Sequence, residues 1–177
     1  HLLREQGAAG SNPVAPTIFM KQSTVKRFRP VIGVIGGNQC GSKVSRQAEE
    51  VGRLVAQRGG VIVCGGLGGV MEAVSRGASE AGGLCIGILP GGHSKEANPH
   101  IHIAIPTDMG HARNVIIVRT SDAVIAIDGK FGTLSEVAFA LILEKPVISL
   151  GSWEVSQKVL KAEDPKKAVD LAFQAIG

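Results

Sequence analysis

Along the chain from position 30, hydrophobic and polar residues keep two rhythms in alternation. Short unbroken apolar runs at 31–35, 61–64, 84–89, 123–127 and 146–150 read as strands covered on both faces. A further strand is expected over 101–105, with His100 and His102 on one face of it. Between the runs the period changes to that of a helix. Over 43–58, Val44, Ala48, Val51, Leu54 and Val55 share one face, and Gly59-Gly60 ends the helix. Helices are also expected over 70–81, around Arg113 and directly after 128–133. Asp164-Pro165 starts a closing helix, with Asp as cap and Pro in the first position. Short strands alternating with helices predict an α/β, Rossmann-like doubly wound sheet, mostly parallel, with helices on both faces. Residues 30–177 are expected to form one such domain. Residues 1–29 are expected to be an extension, disordered or non-native, with Met20 available as a start.

Glycines punctuate this pattern where strands end. Gly36-Gly37-Asn38 follows the first run, Gly65-Gly66-Leu67-Gly68-Gly69 the second, Pro90-Gly91-Gly92 the third, and Asp128-Gly129-Lys130-Phe131-Gly132-Thr133 the run over 123–127. Ligands of doubly wound sheets bind at the carboxyl ends of strands. A glycine turn opening onto a helix amino end offers free N–H groups and the positive end of a dipole to an anion such as phosphate. The candidate binding residues are therefore Gly36, Gly37, Gly65, Gly66, Gly68, Gly129, Lys130, Gly132 and Thr133, with Thr133 as cap or hydroxyl donor. The first turn lacks G-x-G-x-x-G, so a dinucleotide site with an acidic ribose partner is weakly supported. The second turn reads either as close helix packing or as another lining of the pocket. The polar loop over 93–99 is placed as a lid.

Arg113 and Glu136 are the charged residues this layout sends to one crevice. They read either as a salt bridge between neighbouring helices or as ligand-contacting groups. His111 lies near the ligand or simply starts a helix. Glu72 and Arg76, at i and i+4, read as a surface pair, the alternative for Glu72 being that it faces the site. His100 and His102 lack a third ligand at metal spacing, so no metal site is expected.

Composition narrows the class of partner. With 24 Gly among 177 residues, 5 Phe, 1 Trp and no Tyr, the chain has no aromatic platform for single-stranded nucleic acid. The net charge of +4 includes Lys21, Lys26, Arg27 and Arg29, read as a solvated arm. Nucleic-acid binding is not expected. Cys40, Cys64 and Cys85 lack metal spacing and fit a reducing, cytoplasmic setting. No apolar run reaches the ~18 to 20 residues of a membrane span, and no signal peptide is visible.

The stretch GHARN…VRTSDAVIAIDGKFGTLSE resembles the "possible lysine decarboxylase" superfamily, which includes cytokinin-activating phosphoribohydrolases. Their pattern is an Arg-Lys pair, a strand, then P-G-G-x-G-T-x-x-E. Arg113 matches the Arg and Glu136 the final Glu, while Asn114 replaces the Lys, and Asp128, Gly129 and Lys130 occupy the P-G-G positions. From about residue 30 to 176 the chain is more similar to a short-chain branch that includes molybdenum cofactor carriers, through GGVMEAVSRGA, GILPGG, ARN and GTLSEVAFAL. The resemblance implies catalytic roles for Arg113 and Glu136 in N-glycosidic cleavage of a nucleoside 5′-monophosphate, with phosphate held around Gly132 and Thr133. The alternative it implies is binding of molybdenum cofactor, a pterin with a terminal phosphate, without turnover. No cofactor would be required, and the bound ligand would be a nucleoside monophosphate or molybdenum cofactor. A homo-oligomer, dimer or tetramer, is also implied. Lysine decarboxylation is rejected, because no lysine carries a recognisable pyridoxal phosphate motif.

Overall fold

The computed structural model describes residues 28–177. The expectations for residues 1–29 therefore lie outside the described residues but for the last two positions, as do Lys21, Lys26 and Arg27. Seven strands form one sheet: β1 (Val31–Gly36), β2 (Val61–Cys64), β3 (Leu84–Leu89), β4 (Ile103–Pro106), β5 (Ala123–Ile127), β6 (Val147–Leu150) and β7 (Val159–Lys161). Their order is β4-β3-β2-β1-β5-β6-β7, and every pairing is parallel. The helices are α1 (Ser42–Gln57), α2 (Val70–Glu80), α3 (Asn114–Thr120), α4 (Phe131–Ile142) and α5 (Pro165–Ala175). The Rossmann-like doubly wound fold is thus present, with a sheet that is wholly rather than mostly parallel.

Alternation along the strands makes the two layers. Ile32 and Val34 of β1, Ile62 and Cys64 of β2, and Ala123, Ile125 and Ile127 of β5 pack with α1, α2 and α5. The residues between them, Val63, Val124 and Ala126, with Ile35 of β1, pack with α3 and α4. Such runs must be apolar at every position, because both faces are covered. β2 and β3 lie to one side of β1 and are reached through α1 and α2. β6 lies beyond β5 and is reached through α4 on the opposite face. This reversal follows from right-handed crossovers when the direction of winding changes between β1 and β5.

Several expectations are corrected. β4 begins only at Ile103, so His100 and His102 precede the strand; the Nδ1 of His102 accepts a hydrogen bond from the Cys85 N–H at 3.2 Å. Arg76 pairs with Glu49 of α1 at 2.8 Å rather than with Glu72. β7 was not anticipated, since three residues on a sheet edge carry too little pattern to detect. The closing helix is as read, with the Asp164 side chain accepting from the Lys167 N–H at 2.7 Å. No helix among the described residues is long and apolar enough to cross a membrane.

Candidate functional site

Gly36 and Ile127 are register partners at the ends of β1 and β5, and beyond them the chain turns to opposite faces of the sheet. A crevice must open at such a point. It is a cavity of about 580 Å³, lined by the turn after β1, parts of the turn after β2, the segment before α3, and the turn into α4.

The turn into α4 has the most unusual backbone. Asp128 has φ of 50° and Gly129 a φ of 96°, so two successive residues are left-handed. Gly129 is required here twice over: a Cβ at this position would lie 2.2 Å from Thr133 Oγ1. Lys130 is the N-cap of α4, and no side chain caps the helix. Thr133 therefore sits inside the first turn rather than capping it, which corrects the expectation. Its buried position places it in the cavity wall, beside Gly132. An uncapped helix leaves its first N–H groups without an intrahelical acceptor and presents the positive end of its dipole. Gly132 is helical, and a Cβ there would meet nothing within 4 Å. Neither strain nor protein neighbours explain this glycine, which borders the cavity.

Arg113 ends a 3-10 turn, Gly110–Arg113, immediately before α3, rather than lying on the helix as expected. Its side chain is buried, with 8% of the residue exposed. Nη1 donates to Asn114 Oδ1, and the guanidinium nests against Gly65, where a Cβ would come 2.6 Å from Nη2. Nε is buried and has no hydrogen-bond partner. A buried guanidinium N–H without an acceptor is costly unless a ligand supplies one. Asn114 also donates to Ser135 Oγ at 3.2 Å and to the Gly132 carbonyl at 3.5 Å, which ties Arg113 to the first turn of α4.

Glu136, with 6% of the residue exposed, faces the same cavity from α4. Burial pushes its carboxyl up to about 8, against the opposing pull of Arg113. Burial likewise pulls the Arg113 guanidinium down, and Glu136 offsets part of that effect. The two make no direct ion pair, and both line the cavity. The site thus offers a permanently charged arginine and a carboxyl whose proton is held well above the ordinary carboxylate range.

Gly36, Gly37, Gly65, Gly129, Lys130, Gly132 and Thr133 line the cavity together with Arg113 and Glu136; Gly66 and Gly68 do not. Gly66 packs against Gly87 and Leu89, and the Gly68 N–H donates to Asn38 Oδ1 at 2.9 Å. The loop over 93–99 does not line the cavity either; within it, the Asn98 side chain donates to the carbonyls of Gly66 and Leu67. His111 is on the rim. Asn38, named above only as part of the first turn, and Gln39 also line the cavity just after Gly37. Their signal was their place directly after two glycines at a strand's carboxyl end. Among the described residues no cluster of His, Cys, Asp and Glu is arranged to hold a metal ion.

A family model described as the SLOG cluster4 family matches residues 29–175. The chain belongs to this family. It is similar to the molybdenum cofactor binding protein of Rippkaea orientalis, with a TM-score of 0.81 and 39% identity over 85% of this chain and 99% of that one. It is similar to the Moco Carrier Protein of Chlamydomonas reinhardtii, with a TM-score of 0.78 and 32% identity over 84% and 98%. A protein of Oryza sativa subsp. japonica named as a probable cytokinin riboside 5′-monophosphate phosphoribohydrolase is 34% identical over 64% of this chain. This chain spans 48% of that relative's length, against nearly all of the two cofactor-binding proteins.

Proposed function

We propose that the cavity binds a planar heterocycle carrying a phosphate, and that the leading ligand is molybdenum cofactor held without turnover. The observation carrying the anion site is the uncapped amino end of α4 lining the same cavity as Arg113, whose buried guanidinium leaves Nε without an acceptor. In this reading the phosphate lies on the N–H groups around Gly132 and Thr133, with Lys130 beside it, and Arg113, tied to that turn through Asn114, binds the same ligand. Gly36, Gly37 and Gly65 let the remaining part of the ligand approach the sheet edge. The carrier is favoured over a catalyst by two facts. The cofactor-binding relatives match along nearly their whole length. The left-handed Asp128 stands where phosphoribohydrolases have proline, whose ring cannot adopt a φ of 50°.

A second reading is supported by Glu136. A carboxyl pushed up to about 8 by burial is protonated at neutral pH and can act as a general acid. On a nucleoside 5′-monophosphate it would give its proton to the leaving base nitrogen as the C1′–N bond breaks and the bonding pair leaves with the base. Water would add to C1′ and give its proton to the Glu136 carboxylate, restoring the acid and giving free base and ribose 5-phosphate.

One experiment separates the two. The protein is titrated with molybdenum cofactor and, separately, incubated with AMP, GMP, CMP and UMP while free base is measured chromatographically. Saturable cofactor binding that Arg113→Ala abolishes, with no base released, supports the carrier. Base release that Glu136→Ala abolishes supports the hydrolase instead.

The same reading predicts a dimer or tetramer in the cytoplasm. α4 carries no charge but the buried Glu136 and leaves Phe131, Ala138 and Ile142 exposed, a face suited to a second copy. A sedimentation experiment on the protein and on Ile142→Glu tests it; a monomer in both would refute it.

A further inference from the structure

The left-handed turn at Asp128–Lys130 is held from outside the cavity. After β6 the chain bends at Gly151, which has a φ of 66°, and the Ser152 N–H donates to Ser149 Oγ at 3.0 Å. The next two side chains both reach back to the turn. Ser152 Oγ donates to the Asp128 carbonyl, and Trp153 Nε1 donates to the Lys130 carbonyl at 3.1 Å. That Lys130 carbonyl is also the first acceptor of α4, taking the Leu134 N–H at 2.9 Å. The Trp153 ring stacks on Phe131, the first residue of α4, with centroids 6.2 Å apart and planes at 26°. Phe131 itself is 79% exposed, so burial of its own side chain does not explain the contact.

We infer that Ser152 and Trp153 are positioning residues for the anion turn. A non-glycine residue at positive φ is unfavourable, and such a conformation persists where its surroundings impose it. Here two hydrogen bonds clamp the carbonyls on either side of Gly129, and the stack fixes the start of the helix whose N–H groups face the cavity. Neither Ser152 nor Trp153 lines that cavity. They act through Asp128 and Lys130. Because Trp153 is the only tryptophan in the chain, the brace also carries its own reporter. A ligand that engages Lys130 and the first turn of α4 alters the carbonyl to which the indole is bonded.

The inference rests on the anion-binding reading for its functional consequence, and the test separates the two. The full chain, labelled with ¹⁵N, is titrated with inorganic phosphate and with AMP while the single indole N–H resonance is followed, and affinities are measured by calorimetry. The indole signal should shift saturably with the calorimetric midpoint. Trp153→Phe keeps the stack but loses the N–H, and Ser152→Ala loses the hydroxyl. Each should weaken binding about 3- to 10-fold, the scale of one lost hydrogen bond. Ser152→Thr, which keeps the hydroxyl, should restore it. Equal affinity in native, Trp153→Phe and Ser152→Ala proteins would overturn the inference. If the native protein binds neither probe, the anion reading falls, and exchange of the Leu134 amide decides the brace. Exchange at least tenfold faster in both variants, relative to amides of α5, would uphold it, and unchanged exchange would overturn it.

Discussion

Two glycine turns face each other across the crevice, and they use glycine for different reasons. In the turn after β2, added side-chain carbon would collide with protein. A Cβ at Gly69 would lie 2.4 Å from the Gly37 carbonyl oxygen, and one at Gly65 would lie 2.6 Å from the Arg113 guanidinium. In the turn into α4, Gly129 is likewise required by its neighbours, but Gly132 is not. The first turn is mostly a packing device that seats α2 and Arg113. The second leaves an opening. Glycine at a strand end thus signals close approach without saying whether protein or ligand approaches.

That contrast can be broken most sharply by substitution. Gly69 combines a φ of 61° with a backbone contact, so Gly69→Ala should cost about 2 to 4 kcal/mol of stability, measured by denaturant unfolding. Gly132→Ala should leave stability unchanged or raise it by up to ~1 kcal/mol, since alanine is the better helix former. The same Gly132→Ala protein should bind phosphate-bearing ligands more weakly. Equal destabilisation by the two substitutions would erase the distinction between them.

Arg113→Ala should have the next largest effect. If the proposed site is right, removing the buried guanidinium should weaken binding of the phosphate-bearing ligand by about 100-fold, in line with 2 to 3 kcal/mol for a charged hydrogen-bonding group. Stability should change less or even rise, because the protein itself leaves Nε unpaired. A variant that binds as well as the native protein would remove Arg113 from the site.

The sheet was legible because its signal is long and repeated. Five apolar runs with glycines after them allow few arrangements other than a parallel sheet wound in both directions, and the Asp164-Pro165 helix start reads off directly. The details that failed share a cause. Thr133 as cap, Arg113 on a helix and the Glu72–Arg76 pair each depend on one or two residues of backbone path or on a rotamer. A pattern averaged over ten residues does not encode these. Arg76 turned instead to Glu49 because Gly52 and Gly77 let α1 and α2 pack closely, a tertiary fact. The site divides in the same way. Arg113 and Glu136 were visible as residue types converging on one crevice, whereas the burial that raises the Glu136 carboxyl emerges only from packing.

That burial predicts a pH dependence. Glu136 holds its proton more tightly when folded than when unfolded, so between the unfolded carboxyl value near 4.5 and the folded value of about 8 the native state binds the extra proton. Stability must then fall as pH rises through this window. Thermal unfolding of the native protein followed from pH 5 to 9 should show a midpoint that drops by several degrees relative to Glu136→Gln, which lacks the titrating group. Parallel curves would mean that Glu136 is ionised in the fold.

The smallest effect expected concerns Asn114, which stands where related phosphoribohydrolases carry lysine. Its Oδ1 accepts from Arg113 and its amide donates towards Ser135 and Gly132, so one neutral side chain links the guanidinium to the first turn of α4. A lysine could not accept from Arg113 and would add a second cation beside it. Asn114→Ala should lower affinity for a phosphate-bearing ligand about fivefold, near the 1 kcal/mol of a single hydrogen bond, because the guanidinium stays present but loses its restraint. Asn114→Asp should weaken it further, since a carboxylate there competes with the ligand for Arg113. Asn114→Lys gives the discriminating result. If the site is built around an oriented arginine, the variant binds less well despite its extra positive charge. If total charge governs the site, it binds better, and the ordering of all three variants by calorimetry decides between these accounts.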